Sequence, residues 1–135
     1  MALKRINLIF GLLLFIVFLA TGYYMAEYFK PEHMDNLVMR MQIRANHIYI
    51  LFIALLNIVA YRSNFSSNHK KTNVLEIAFR LFLMLSGIFA IIAFLKEHTG
   101  DLSVRTWTLL TVILSVIAIG LLLLNELFNV LRKKS

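Results

Sequence analysis

The sequence predicts an all-α membrane protein in which four transmembrane helices form an antiparallel bundle. Hydrophobic residues make up 60% of the 135 residues and charged residues only 16%, against about 45–50% and about 25% in soluble domains. The apolar residues fall into four runs, each near the length of about 20 residues that crosses the bilayer hydrocarbon. A soluble domain of this size could not bury so much apolar surface. We therefore interpret residues 1–135 as a single four-span membrane domain.

The first span is predicted over residues 6–27, a stretch without a charge between Arg5 and Glu27. The stretch resembles a secretory signal peptide, but its uncharged length exceeds the core of about 7–15 residues typical of those peptides. We therefore expect a retained helix. Pro31 should end it, because proline lacks the backbone N–H that a helix interior requires.

The second span is predicted over residues 42–61. Asp35 can accept a hydrogen bond from the first turn of a helix that starts at Asn36. The segment 36–44 would then approach the span along the membrane surface, where long basic side chains can extend to lipid phosphates.

The third and fourth spans are predicted over residues 74–97 and 104–128. Gly100 suits the end of the third helix, because glycine adopts the left-handed conformation common at helix C-termini. Asp101 or Ser103 can cap the start of the fourth helix.

Each span carries a line of small or polar residues at helical spacing. Helices in lipid gain little from hydrophobic association, so such lines mark the faces that pack together. Short connections between consecutive helices favour an antiparallel bundle. The lines are Asn7, Gly11, Leu14, Phe18 and Thr21; Asn46, Ile50, Ile53 and Asn57; Ser86, Ala90 and Ala93; and Thr108, Thr111, Ser115, Ala118, Leu122, Asn125 and Asn129.

Histidines near one end of the bundle are the candidate ligands for a cofactor. His47 and His98 fall at similar depths, so their imidazoles could ligate a haem iron (haem b), with Arg40 and Arg44 pairing with the propionates. A metal ion held by His47, His98 and His33 is the related hypothesis. Arg40, Arg44 and His47 also share one helix face, which suits an anionic headgroup, a quinone or a substrate. The structural alternative is that these side chains hydrogen-bond between helices or meet solvent.

A polar network is expected near the other end. Arg80 lies inside the third span, and its partner should be Glu76, four residues away, or Glu126. Asn57 and Asn125 fall at a similar level. Ionisable residues inside a membrane are candidates for function, and the alternative is an ion pair that fixes helix register.

The functional prediction is a small non-enzymatic accessory or interaction subunit of a membrane complex. Its partners would be the lipid bilayer and a membrane protein or further copies of the chain. The alternative is a redox protein that binds haem, a metal or a quinone at the outer face. A transporter is less favoured because no span centre carries a carboxylate, and no motif indicates an enzyme. The chain has no cysteine and leaves no basic surface for nucleic acid.

The charges predict that both termini lie in the cytoplasm, with the protein in the cell membrane. One side of the bilayer would hold nine basic and two acidic residues, and the other side five of each. Cytoplasmic loops of membrane proteins are enriched in Lys and Arg. A fluorescent protein fused to the C-terminus should therefore fluoresce in cells. Labelling of that terminus from outside intact cells would contradict this topology.

Overall fold

The computed structural model describes residues 2–63, 70–101, 103 and 105–132, which contain four long helices and no β-strand. Each helix has a stretch long and apolar enough to cross a membrane. The chain is therefore an all-α, multi-pass membrane protein, as predicted. The helices are α1, Ala2–Tyr24; α2, Leu37–Ala60; α3, Lys70–Lys96; and α4, Thr106–Arg132.

Consecutive helices run in opposite directions. Asn7 near the start of α1 bonds to Asn57 near the end of α2, and Asn46 near the start of α2 bonds to the end of α3. We call the end of the bundle that holds the start of α1 and the end of α4 the terminal end. The opposite end, with the connections 33–36 and 97–105, is the turn end.

The helix α1 continues beyond Tyr24 through a π turn, Met25–Phe29, and a last α turn, Lys30–Glu32. The prediction that Pro31 would end the helix is therefore wrong by one residue. In the π turn the Lys30 N–H donates to the Met25 carbonyl, five residues back. This wider spacing moves the carbonyl oxygens that a proline ring would otherwise meet in a regular helix.

The helix α2 is capped by Asn36 rather than by Asp35. The Asn36 side-chain oxygen accepts a hydrogen bond from the Met39 N–H at 3.0 Å. Asn and Asp are about equally good at this position, so composition could not choose between neighbours. Most of the segment 36–44, expected along the membrane surface, instead forms the first turns of one continuous helix from Leu37.

Two helices form the centre of the bundle and two lie at its edges. α1 packs along α2 and also reaches α3, while α4 packs along α3. The most apolar stretches of α2 and α3 are 39% and 44% buried, against 17% for α1 and 22% for α4. Most of the outer two helices is therefore available to lipid or to a partner.

The predicted packing lines are the faces that the structure buries. In α2 and α3 every residue of the predicted lines is buried. In α1 and α4 the described residues of the lines are buried, except for the half-buried Phe18, Thr21 and Leu122. The Asn129 side chain lies outside the described residues.

Glycine allows α1 to approach its neighbours closely. A Cβ atom on Gly11 would lie 2.9 Å from Ile58 Cγ1 and 3.0 Å from the Ala54 carbonyl oxygen in α2. A Cβ atom on Gly87 would lie 2.7 Å from Leu14 Cδ1 of α1. Both contacts are shorter than packed atoms tolerate. Gly120 differs, since nothing lies within 4 Å of its Cβ position.

We expect Gly11→Ala to destabilise the bundle by about 1–3 kcal/mol, because the added methyl group forces α1 away from α2. Gly120→Ala is the matched control. It should be neutral or stabilising, since alanine favours helix over glycine by about 1 kcal/mol. Unfolding of the purified variants in mixed detergent micelles measures both effects. Equal stability of the two variants would contradict the close α1–α2 contact.

Candidate functional site

Asn46 connects three helices at the turn end. Its side chain is fully buried, and its NH₂ group donates to the carbonyl oxygens of Ala93 at 3.0 Å and Glu97 at 3.3 Å. Its oxygen accepts from Arg105 at 2.8 Å and lies 3.0 Å from the Thr108 hydroxyl. One amide thus ties α2 to the end of α3 and to the start of α4.

Glu97 caps α4 from outside that helix. Its carboxylate accepts from the N–H groups of Trp107 at 2.5 Å and Thr108 at 3.0 Å, where the helix dipole favours negative charge. The expected caps, Asp101 or Ser103, do not bond to α4 in the described part of the chain. Instead, the Ser103 N–H and hydroxyl donate to the Asp101 carboxylate, and these hydrogen bonds lower the pKa of Asp101.

Gln42 fixes the connection between α3 and α4. Its NH₂ group donates to the Asp101 carbonyl at 2.7 Å, and its oxygen accepts from the Gly100 N–H at 2.9 Å. Gly100 has a φ of +83°, the left-handed conformation that its sequence position suggested. Neither Gln42 nor Glu97 was predicted from the sequence as a member of this network. The available signal was the pair Gln42 and Asn46, which lie one turn apart in an apolar helix.

Arg80 is fully buried near the terminal end. Its Nε lies 3.0 Å from the Glu76 carboxylate, and its terminal nitrogens donate to the carbonyl oxygens of Ala60 at 3.0 Å and Ser63 at 3.4 Å. Ala60 is the last residue of α2, where the helix dipole favours a cation, and Ser63 lies in the segment that follows. Glu126, the other expected partner, is exposed and forms no ion pair with Arg80.

Two asparagines join α1, α2 and α3 at the same end. Asn57 accepts from Asn7 at 2.9 Å and donates to the carbonyls of Ile53 and Leu83. Asn125 is also buried, but its NH₂ group has no partner among the described residues.

His47 packs between α1 and α2. Its Nδ1 lies 3.0 Å from the Thr21 hydroxyl, and its ring stacks on Phe18 with centroids 4.2 Å apart. The ring also closes off the space behind Gly22, because a Cβ there would lie 3.3 Å from His47 Cε1.

His98 and His33 lie on either side of Phe29. His98 Nδ1 is 3.1 Å from the Phe94 carbonyl oxygen, and its ring meets Phe29 edge-on. The His33 ring stacks on Phe29 at 4.3 Å. Within the described ranges, no hydrogen bond or ring contact joins His47 to His98, and no group of three potential metal ligands converges. The haem and metal hypotheses stay predictions.

A cleft of about 210 Å³ opens at the turn end between the π turn and the start of α2. Three of its lining residues are basic, and no described residue that lines it is acidic. We call it the cationic cleft. Its lining residues are Gly22, Met25, Ala26, Phe29 and Lys30 from α1 and its extension, and Arg40, Ile43 and Arg44 from α2.

The basic side chains of the cationic cleft are largely free of protein partners. Arg40 donates to the Met34 carbonyl at 3.2 Å, but its buried Nε has no partner among the described residues. Lys30 and Arg44 are exposed and form no ion pair with any described residue. An anion entering here would therefore meet positive charge that the protein does not itself neutralise.

The sequence placed Arg40, Arg44 and His47 on one helix face, and the structure separates their roles. The two arginines line the cationic cleft, whereas His47 lies behind Gly22 and outside its lining. Lys30 was missed, because it belongs to the extension of α1, whereas the two arginines belong to α2. Comparison of the chain with known protein families, with curated proteins and with solved structures finds no match.

An absorption spectrum tests the haem hypothesis. If His47 and His98 ligate haem, the purified protein should show a Soret band and a sharp reduced α band, both lost in His47→Ala. Phe18→Leu, which removes only the ring stacked on His47, should keep the bands. A spectrum with only the absorbance of Trp107 and the tyrosines, from cells supplied with haem, would exclude the hypothesis.

Proposed function

We propose that this chain is a non-enzymatic membrane protein that binds an anionic amphiphile in the cationic cleft and serves as an accessory subunit of a membrane assembly. The observation that carries the proposal is the cleft itself. It combines a basic mouth with an apolar interior, next to the only π turn among the described residues. π turns in helices are frequently found at functional sites.

Polarity changes along the depth of the cationic cleft. Lys30 and Arg40 lie nearest the turn end, Arg44 lies one turn further in on α2, and the α1 lining from Phe29 through Met25 to Gly22 is apolar. At 1.5 Å per residue, the distance from Lys30 to Gly22 along the helix is about 12 Å. A molecule with a negative head and an apolar tail fits this gradient in the orientation that a lipid has in a bilayer.

The buried, unpaired Nε of Arg40 favours an anionic ligand over a neutral one. A buried donor without an acceptor costs about 1–3 kcal/mol, and a phosphate or carboxylate oxygen would remove that cost. Arginine also presents several N–H groups in a planar arrangement that matches these anions. Because Lys30 and Arg44 also line the cleft, the site can neutralise more than one negative charge.

The other polar side chains support a binding role rather than catalysis. Asn46, Glu97 and Arg80 each bond to helix ends or to neighbouring helices, so their described contacts are structural. The outward faces of α1 and α4 carry large exposed apolar residues. These faces suit lipid or the helices of a partner. Association through an edge helix would leave the cationic cleft within the assembly.

Lipid binding to the detergent-purified full chain tests this proposal. Phosphatidylglycerol should bind more tightly than phosphatidylcholine with the same acyl chains. Arg40→Gln should weaken the phosphatidylglycerol binding by about 10–100-fold, the loss of one charge-assisted hydrogen bond of about 1.5–3 kcal/mol. Native mass spectrometry of the bound lipids provides the measurement.

Two further variants distinguish the effect of the positive charge from the effect of the shape of the cleft. Ala26→Trp fills the cationic cleft without changing its charge and should also abolish the preference for phosphatidylglycerol over phosphatidylcholine. Lys96→Gln removes an exposed cation near the same end that does not line the cleft. It should leave binding unchanged. Equal effects of Lys96→Gln and Arg40→Gln would show a diffuse surface potential and would refute the site.

A further inference from the structure

A second cleft, of about 290 Å³, lies at the terminal end among α2, α3 and α4. We call it the terminal cleft. Most of its lining is apolar; of the polar residues, Arg62 and Ser63 follow the end of α2, and Glu126 lies in the last part of α4. Its interior is lined by Leu56, Val59, Ala60, Phe79, Leu83, Ile119 and Leu122.

The rim of the terminal cleft carries separated charges of opposite sign. Arg62 and Glu126 are both exposed and both line the cleft. No side-chain nitrogen and oxygen of this pair approach within 4.0 Å, and neither side chain bonds to another described residue. The rim therefore presents a cation and an anion that are paired neither with each other nor with another described residue.

The described residues behind Arg62 form a neutral ion pair. Ser63, next to Arg62, accepts from the buried guanidinium of Arg80 through its carbonyl at 3.4 Å, and Arg80 is itself paired with Glu76. A negative group at this side of the rim would therefore meet the charge of Arg62. On the other side, Glu126 extends from α4 beside the apolar wall, and no basic residue of that helix lines the cleft in the described ranges.

We propose that the terminal cleft binds a zwitterionic phospholipid whose head bears a primary ammonium group, that is, phosphatidylethanolamine. The phosphate lies at Arg62, the ammonium group donates hydrogen bonds to Glu126, and one acyl chain enters the apolar interior. A choline head has no N–H group to donate and so loses the charge-assisted hydrogen bond. An anionic head without an ammonium group places negative charge next to Glu126.

This inference does not depend on the proposed function. The two clefts lie at opposite ends of the bundle and share no lining residue. Failure of one site therefore leaves the other untouched, and variants of each serve as controls for the other.

The test is a lipid competition with the full chain in mild detergent, using equal amounts of dioleoyl phosphatidylethanolamine, phosphatidylcholine and phosphatidylglycerol. To remove the contribution of the cationic cleft, the background is Arg40→Gln. Phosphatidylethanolamine should be retained over phosphatidylcholine by about tenfold, as one charge-assisted hydrogen bond predicts. Native mass spectrometry reads the bound lipids.

Glu126→Gln in the same background should abolish the preference while leaving phosphatidylcholine binding unchanged. Glu27→Gln, at an exposed glutamate of the turn end, is the matched control and should keep the preference. Leu122→Trp fills the cleft and should remove both lipids. Because Leu122→Trp can also misfold, the decisive variant is Glu126→Gln, which changes an exposed side chain. Equal retention of the two zwitterionic lipids, a preference for phosphatidylglycerol, or an unchanged preference in Glu126→Gln would each overturn the proposal.

Discussion

Buried amides in α2 dictate how this bundle is assembled, because the membrane interior offers no water to satisfy them. Asn46 and Asn57 lie 11 residues apart on one face of α2 and are both fully buried. Each finds acceptors on α3, and each accepts from a different outer helix: Asn57 from Asn7 of α1, and Asn46 from Thr108 of α4. A shift of α2 by one turn would break both sets of hydrogen bonds, so they fix register as well as neighbours.

Buried charges follow the same logic at the helix ends. Glu97 satisfies N–H groups at the start of α4, and Arg80 satisfies carbonyl oxygens at the end of α2. Each charge matches the sign that the helix dipole favours. A charge that would be costly in lipid is thereby stabilised by backbone groups at helix ends. Both contacts join helices that are consecutive in the chain: Arg80 joins α3 to the end of α2, and Glu97 joins the end of α3 to the start of α4.

The spans and packing faces could be predicted from the sequence because they depend on local periodicity. Apolar run length defines a span, and small or polar residues at helical spacing define its buried face. The Arg80–Glu76 contact is of the same kind, since the two residues are one turn apart. Caps were less predictable, because Asp35 and Asn36 are chemically equivalent candidates.

Contacts between residues of different helices or connections could not be predicted from the sequence. The cap of α4 comes from Glu97 of the preceding connection, so a search for local capping residues selected Asp101 or Ser103. The cationic cleft needs Lys30 of the α1 extension next to Arg40 of α2. His47 and His98 were paired by depth alone, and depth does not define the direction in which a helix presents its side chains.

The π turn has a consequence for the length of the segment that contains it. Such a turn corresponds to one residue more than a regular helix would hold. A chain that lacks one residue between Tyr24 and Phe29 can form a regular helix there with the same side of the extension facing α2, whereas a regular helix that keeps every residue would rotate everything beyond the turn by about 100°. Lys30 would then point away from α2, while the apolar character of the span would hardly change. Among related chains, a cationic cleft therefore requires either the π turn or a segment one residue shorter, and the presence of a lysine alone does not mark it.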